Sequence, residues 1–189
     1  MNNVDLEIHP VTPDRWADLE KLFGPRGATG GCWCMYWRVK RSEYEEQKGE
    51  GNRQALKAIV DAGQAPGLLA YADGEPVGWC SVGPREVYPV LERSRILKRV
   101  DDQPVWSLVC LFIAKPFRRQ GVSVELIKAA VTFAQKQGAR IVEAYPVEPK
   151  NDEMPAVFAW TGLAPAYHQA GFVEVARRSE TRPIVRYFV

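Results

Sequence analysis

The sequence predicts a mixed α/β fold with antiparallel hairpins at both ends, and three observations carry that prediction. GLLAYADGEPVGWCSVG, starting at Gly67, sets two apolar runs around Asp73-Gly74, a dipeptide suited to the positive φ angles of a two-residue hairpin turn. PVWSLVCLFIA, starting at Pro104, is a long apolar run rich in β-branched and aromatic residues, as a strand buried on both faces requires. It leads through a basic turn into a helical stripe and then RIVEAYPV, a strand–helix–strand unit, before GFVEVARRS and PIVRYFV close the chain as two further strands.

Length and composition agree with one compact domain. The 189 residues suffice for a sizeable core, and 46% hydrophobic with 25% charged residues is ordinary for a folded protein. A net charge of +2 lacks the footprint of a dedicated nucleic-acid binder. With no basic n-region at the start and no apolar run of about 18 residues, the expectation is a cytoplasmic protein without a membrane partner. Four cysteines in such a chain are expected to be reduced.

In chain order, Leu6 and Ile8 alternate inward on a first strand, and Thr12-Pro13-Asp14 reads as the cap and first turn of a helix whose apolar face is Trp16, Leu19 and Leu22/Phe23. Gly24, Gly27, Gly30 and Gly31 then predict a mobile loop that runs into GGCWCMYWR. Ser42 with Glu45 forms a capping-box pattern, and Leu56, Ile59 and Val60 place a second helix over Arg53 to Ala62, ended by Gly63. The charged stretch at about 85–103, with Val90, Leu91, Ile96 and Leu97, reads as an inserted, partly exposed helix. Leu126, Ile127, Ala130, Val131 and Ala134 give a helix from Ser123 to Gln137, and a last helical segment from Ala156 to Ala170 is interrupted near Gly162 and restarts at Pro165.

The sharpest chemical signal is the turn Arg118-Arg119-Gln120-Gly121-Val122-Ser123 between the buried strand and its helix. Such a turn aims free backbone N–H groups at one spot, where the helix dipole favours an anion and a basic side chain adds a cation. It suits a phosphate or pyrophosphate. Gly121 leaves room for close approach or permits a positive φ, whereas neither nucleotide P-loop spacing nor a three-glycine dinucleotide pattern is present. A plain strand-to-helix turn with basic residues for solubility is the competing reading of the same residues.

The turn resembles the acyl-CoA-binding motif of the GNAT superfamily of N-acetyltransferases, with Arg118, Gly121 and Ser123 at its motif positions, Ser123 departing from Gly/Ala. AYHQAGF supplies the second part of the pattern, Tyr167 four residues ahead of Gly171-Phe172, and the order of elements from Leu6 to Val189 resembles the family throughout. Trp160 stands where members often carry Asn. The resemblance implies a domain spanning residues 1–189, with a splayed strand pair at the acyl-CoA site, flanked by helices. It implies acetyl-CoA as donor and a small-molecule amine as acceptor, with room for a homodimer. Leu111 and Ile113 would pair their backbone with the pantetheine arm, and the N–H groups from Arg119 to Ser123 would hold the pyrophosphate.

Direct attack of an amine on the thioester needs a neutral amine and an acid for the departing thiolate. Tyr167 is the candidate acid. The strand position where several members carry a catalytic Glu is Ser107, which could order a water, and Glu143 or Glu86 are the alternative bases. Trp33, Tyr36, Trp37, Trp79 and Tyr88 are expected to wall the acceptor, suiting an apolar or cationic body, although core packing competes for each. Cys32 and Cys34 form one close pair, Cys80 and Cys110 stand alone, and the second pair of a zinc site is missing; no metal is expected. An acyl-CoA sensor or scaffold of the same fold is the alternative function.

Overall fold

The computed structural model describes residues 4–150 and 158–189. Seven strands form one sheet in the order β1-β2-β3-β4-β5-β7-β6, antiparallel except between β4 and β5. The strands are β1 (Glu7–Pro10), β2 (Gly67–Ala72), β3 (Glu75–Pro84), β4 (Trp106–Ile113), β5 (Ile141–Ala144), β6 (Val173–Arg177) and β7 (Pro183–Phe188). The helices are α1 (Trp16–Phe23), α2 (Arg41–Glu46), α3 (Glu50–Asp61), α4 (Pro89–Arg93), α5 (Val122–Lys136) and α6 (Ala164–Gln169). Among the described residues, no helix is long and apolar enough to cross a membrane.

The β2–β3 hairpin turns at Asp73 (φ 50°) and Gly74 (φ 77°), the pair of positive angles that its sequence predicted. β4 is buried on both faces because a helix layer covers each side. Leu108 and Leu111 pack with α5 and α6, while Val109 and Cys110 pack with α1, α3 and the cysteine loop. Opposite β3 the register steps from Ser81↔Cys110 to Val82↔Leu108, so Val109 is an extra residue, a bulge that bends the strand. The β4–α5–β5 unit returns β5 parallel to β4, as the sheet rule for such a crossover demands.

Five sequence expectations are corrected. No side chain caps α2; its backbone starts at Arg41, and the Tyr44 amide already donates to Lys40, so Ser42 lies inside the first turn. α3 starts at Glu50 rather than Arg53, because Gly49 adopts φ 85° and docks its amide on the Gly31 carbonyl at 3.0 Å. That same docking makes the glycine loop a packed run of tight turns instead of a loose arch: a Cβ on Gly31 would lie 2.5 Å from the Gly49 nitrogen. The 85–103 segment holds a 3-10 turn at Arg85–Val87 and the five-residue α4, and Ile96 and Leu97 fall beyond the helix. The last helix is α6, carrying Pro165 in its first turn; residues 156 and 157 of the expected segment lie outside the described residues.

Candidate active site

β4 and β5 pair over only three positions, from Trp106↔Val142 to Leu108↔Ala144, and beyond Leu108 the two strands part. The chain itself bridges the gap. The Leu111 amide donates to the Trp160 carbonyl at 2.7 Å, the Val147 amide to Gly162 at 2.8 Å, and the Ala164 amide to Val147 at 3.0 Å. Gly162 is required here: at φ +83° its Cβ would lie 2.7 Å from Leu111 Cδ1 and 2.7 Å from Tyr167 Cε2.

At the end of β4 a 3-10 turn, Lys115–Phe117, leads into the basic turn. Arg119 (φ 61°) and Gly121 (φ 80°) are both left-handed, and α5 begins at Val122. Among the described residues, the amides of residues 119 to 123 donate to no backbone carbonyl, whereas those of Val124 and Glu125 return to Gly121. Nothing lies within 4 Å of where a Gly121 Cβ would stand. Five free donors around open space at the N-terminus of a helix of 15 residues fit an anionic phosphate group. Arg118 sends Nε to the Ile113 carbonyl at 2.9 Å, and Gln120 sends Nε2 to Pro116 at 2.6 Å, so these two side chains brace the turn. Val122 is buried in the α5 core, while Ser123 is half-buried.

Tyr167 points from α6 into the bridged gap and is fully buried. Its hydroxyl donates to the Thr161 carbonyl at 3.0 Å. Burial drives its pKa well above the ordinary tyrosine range, so the phenol stays protonated at neutral pH. Thr161 also receives, on Oγ1, a hydrogen bond of 3.1 Å from Arg182 Nη1, at the mouth of the β6–β7 hairpin.

Ser107 and Glu143 come together, but with each other's neighbours rather than with Tyr167. Tyr145 OH lies 2.8 Å from Ser107 Oγ and donates to Glu143 Oε1 at 2.8 Å. Arg85 Nη1 reaches the same carboxylate oxygen at 2.9 Å, and Arg186 Nε holds Oε2 at 2.8 Å. Glu143 and Arg85 are each 1% exposed, which makes this a desolvated ion pair. Both carboxylate oxygens are taken by guanidiniums and one also by the Tyr145 phenol, so Glu143 reads as the anchor of a structural network rather than a base. Glu86 pairs with Arg99 on the surface.

The five aromatic candidates separate into two groups. Tyr36 and Trp37 pack edge-on at 4.9 Å, and Trp160 joins them, stacked on Trp37 at 5.4 Å and edge-on to Tyr36 at 5.3 Å. Trp33 instead stacks on Trp16 and tilts against Phe23, and Trp79 packs on Phe23 with its indole N–H directed 3.1 Å to Cys34 Sγ. Tyr88 is wholly buried beside Ser81, under the Arg38 guanidinium. Trp33, Trp79 and Tyr88 are therefore core residues: Trp79 faces inward from β3, the turn at Trp33 directs its ring inward, and Tyr88 packs inward after the 3-10 turn; Trp37 is as buried as Trp33, and Tyr36 and Trp160 are only partly buried. Cys34 Sγ lies 3.1 Å from Cys110 Sγ, and all four thiols are free. The thiol contact with Cys34, and after it burial, raises the pKa of Cys110, and burial raises that of Cys80, which keeps both protonated.

Trp160, Thr161, Gly162 and Arg182 are site residues that were not singled out as such from sequence. Trp160 carried a signal as a departure from the motif it resembles, and Gly162 as the break in the last helical segment; Arg182 arrives from a distant hairpin and has no local pattern.

The chain matches a sequence model described as the acetyltransferase (GNAT) family over residues 33–162. No curated relative matches it in sequence. Among solved structures, it superposes on a GNAT-family acetyltransferase from Listeria monocytogenes with TM-score 0.60 and 9% identity, covering 100% of this chain and 97% of that one. A GNAT-family acetyltransferase from Streptococcus agalactiae gives TM-score 0.57 at 13% identity, with 99% of each chain covered. PaiA N-acetyltransferase from Thermoplasma acidophilum, solved in complex with coenzyme A, gives 0.54 at 15% identity, covering 98% of this chain and 99% of that one. At such identities the likeness is one of fold.

Proposed function

Because the chain belongs to the acetyltransferase (GNAT) family, whose members use acetyl-CoA, we propose that it transfers the acetyl group to the primary amine of a small molecule by direct attack on the thioester. The observation that carries this reading is the turn after β4, with five unengaged amides at the start of α5 and open space at Gly121. Amides of Arg119, Gln120, Gly121, Val122 and Ser123 hold the pyrophosphate, and the Arg119 side chain adds positive charge. Before the donor binds, Arg118 braces the turn through the Ile113 carbonyl.

Leu111 and Ile113 line the gap that takes the pantetheine arm. Their facing groups are now engaged by Trp160 and Arg118, so binding exchanges one hydrogen bond for another. Each exchange is near neutral, since such bonds are worth about 0.5–1.5 kcal/mol net. Tyr167 protonates the departing thiolate, a role favoured by a hydroxyl that burial keeps protonated. The amine, with an ordinary pKa of about 10.4, has to lose its proton first. The commitment of Ser107 and Glu143 to the Tyr145 network favours solvent water as the acceptor of that proton. Tyr36, Trp37 and Trp160 form the aromatic wall for the acceptor.

Mixing the protein with acetyl-CoA and a panel of small primary amines, while following free CoA thiol, tests the reading. Amine-dependent thiol release is expected. Acetyl-CoA binding without release for any amine would make the chain a sensor or scaffold instead.

A further inference from the structure

Among the described residues, the arginines Arg85, Arg186 and Arg38 in the protein interior are neutralised or stacked. Arg85 meets Glu92 and Glu143, and Arg186 meets Asp101 and Glu143. Arg38 lies over the Tyr88 ring at 4.7 Å and donates to Tyr88 OH and the Pro66 carbonyl. Arg182 differs. It is half-buried, its described hydrogen bond goes to the neutral Thr161 hydroxyl, and among the described residues no carboxylate pairs with it. Desolvation holds its pKa below the ordinary arginine value, and its electrostatic neighbours are the hydroxyls of Tyr167 and Tyr36. Its geometric contact is Thr161, whose carbonyl accepts the Tyr167 hydrogen bond and whose chain neighbour Trp160 belongs to the aromatic group.

A second unmatched group lies in that wall. The indole N–H of Trp37 is buried with no partner among the described residues, and the ring stacks on Trp160, next in the chain to Thr161. Among the described residues the partly desolvated guanidinium has a neutral hydroxyl for a partner but no counter-charge, and the indole N–H has no acceptor; leaving such groups unmatched is costly. An anion brought by the acceptor satisfies them, and a carboxylate matches the planar guanidinium fork better than a point anion does.

We propose, building on the acetyl-transfer reading, that Arg182 is the specificity-determining residue of the acceptor site and that the acceptor is an amino carboxylate with an apolar body. The aromatic residues Tyr36, Trp37 and Trp160 take the body, Arg182 takes the carboxylate, and the amine is thereby held on the Tyr167 side of the gap. This narrows the expectation drawn from the aromatic wall alone, which suited a cationic body equally well.

The test compares matched acceptors that differ only in the carboxylate: phenylalanine with phenethylamine, tryptophan with tryptamine, and leucine with isoamylamine. In the wild type, the carboxylate-bearing member of at least one pair should have the higher kcat/KM by about 10–100-fold, the size expected of a hydrogen bond to a charged group. Arg182→Gln should collapse that ratio towards one, mainly through KM for the amino acid, while Arg182→Lys restores part of it. Acetyl-CoA affinity, measured by calorimetry on each variant, reports whether the fold is intact. Equal kcat/KM within every pair, or an Arg182→Gln loss that is the same for both members, would overturn the proposal. So would a preference for phosphoethanolamine over every amino acid. If no amine releases thiol, the acetyl-transfer reading fails; calorimetry of the same pairs in the presence of CoA still decides Arg182, tighter amino-acid binding supporting it and equal or absent binding refuting it.

Discussion

Tyr167 and Glu143 are both buried and hydrogen-bonded, yet burial prepares them for opposite uses. Tyr167 sits among apolar residues with a single carbonyl partner, so its proton is held but remains available for donation. Tyr167→Phe should lower kcat by about 100-fold or more while leaving acetyl-CoA affinity within about twofold, as expected for a lost general acid. Steady-state kinetics beside calorimetry checks this, and an unchanged kcat removes Tyr167 as the acid. Because its pKa is raised, kcat should show no alkaline fall below about pH 10. Glu143 is instead clamped by Arg85 and Arg186. Glu143→Gln leaves two buried guanidiniums facing a neutral amide, and should cost about 3–5 kcal/mol in denaturant unfolding. A variant of unchanged stability with lost kcat would mark Glu143 as a base after all.

At the scale of elements, the decisive feature is the parting of β4 from β5 and the segment from Trp160 to Ala164 that spans it. Gly162 makes that span possible. Gly162→Ala should lower stability by at least about 2 kcal/mol, from left-handed backbone and overpacking against Leu111 and Tyr167 together. Gly63→Ala, with φ +80° and no neighbour within 4 Å, carries the backbone cost alone and is the control. Equal losses in thermal unfolding would show that the tight packing at Gly162 contributes nothing.

This contrast also explains what could be read in advance. The turn at Gly121, the α5 stripe and the Tyr167-to-Phe172 spacing are local patterns, in which backbone chemistry and periodicity decide the outcome over a few residues. The acceptor wall is not local. Trp33 and Tyr36 are three residues apart in one loop, but a left-handed turn at Trp33 (φ 45°) and Cys34 (φ 53°) sends Trp33 towards Trp16 and Phe23, away from Tyr36. Composition cannot encode that turn. Arg182 and Thr161 meet across 21 positions in sequence, through a strand pairing that only the folded sheet creates.

Across the whole molecule, one charge network joins segments far apart in the chain. Arg85 follows β3, Glu143 lies on β5, Arg186 on β7, and Asp101 in the loop before β4. Arg186 grips Asp101 through two hydrogen bonds of 2.6 and 3.0 Å and holds its carboxyl at a pKa of about 2, below the ordinary 3.8. A carboxyl with a depressed folded pKa stabilises the protein above its unfolded pKa, and that contribution disappears as pH falls through the folded value. Stability from this pair should therefore decline between about pH 4 and pH 2. Asp101→Asn should flatten that part of a melting-temperature profile; an unaltered profile would remove the pair from the acid response. The network anchors the strands on either side of the gap, which keeps the gap's geometry fixed while its lining exchanges partners.

The central claim is that the turn from Arg119 to Ser123 holds the donor. Calorimetric titration of acetyl-CoA into the wild type and into Gly121→Leu tests it most directly, since a side chain at Gly121 projects into the open space that the phosphates require. Saturable binding to the wild type, and its loss in a variant that still unfolds cooperatively, is the predicted result. Undiminished affinity in Gly121→Leu would contradict it.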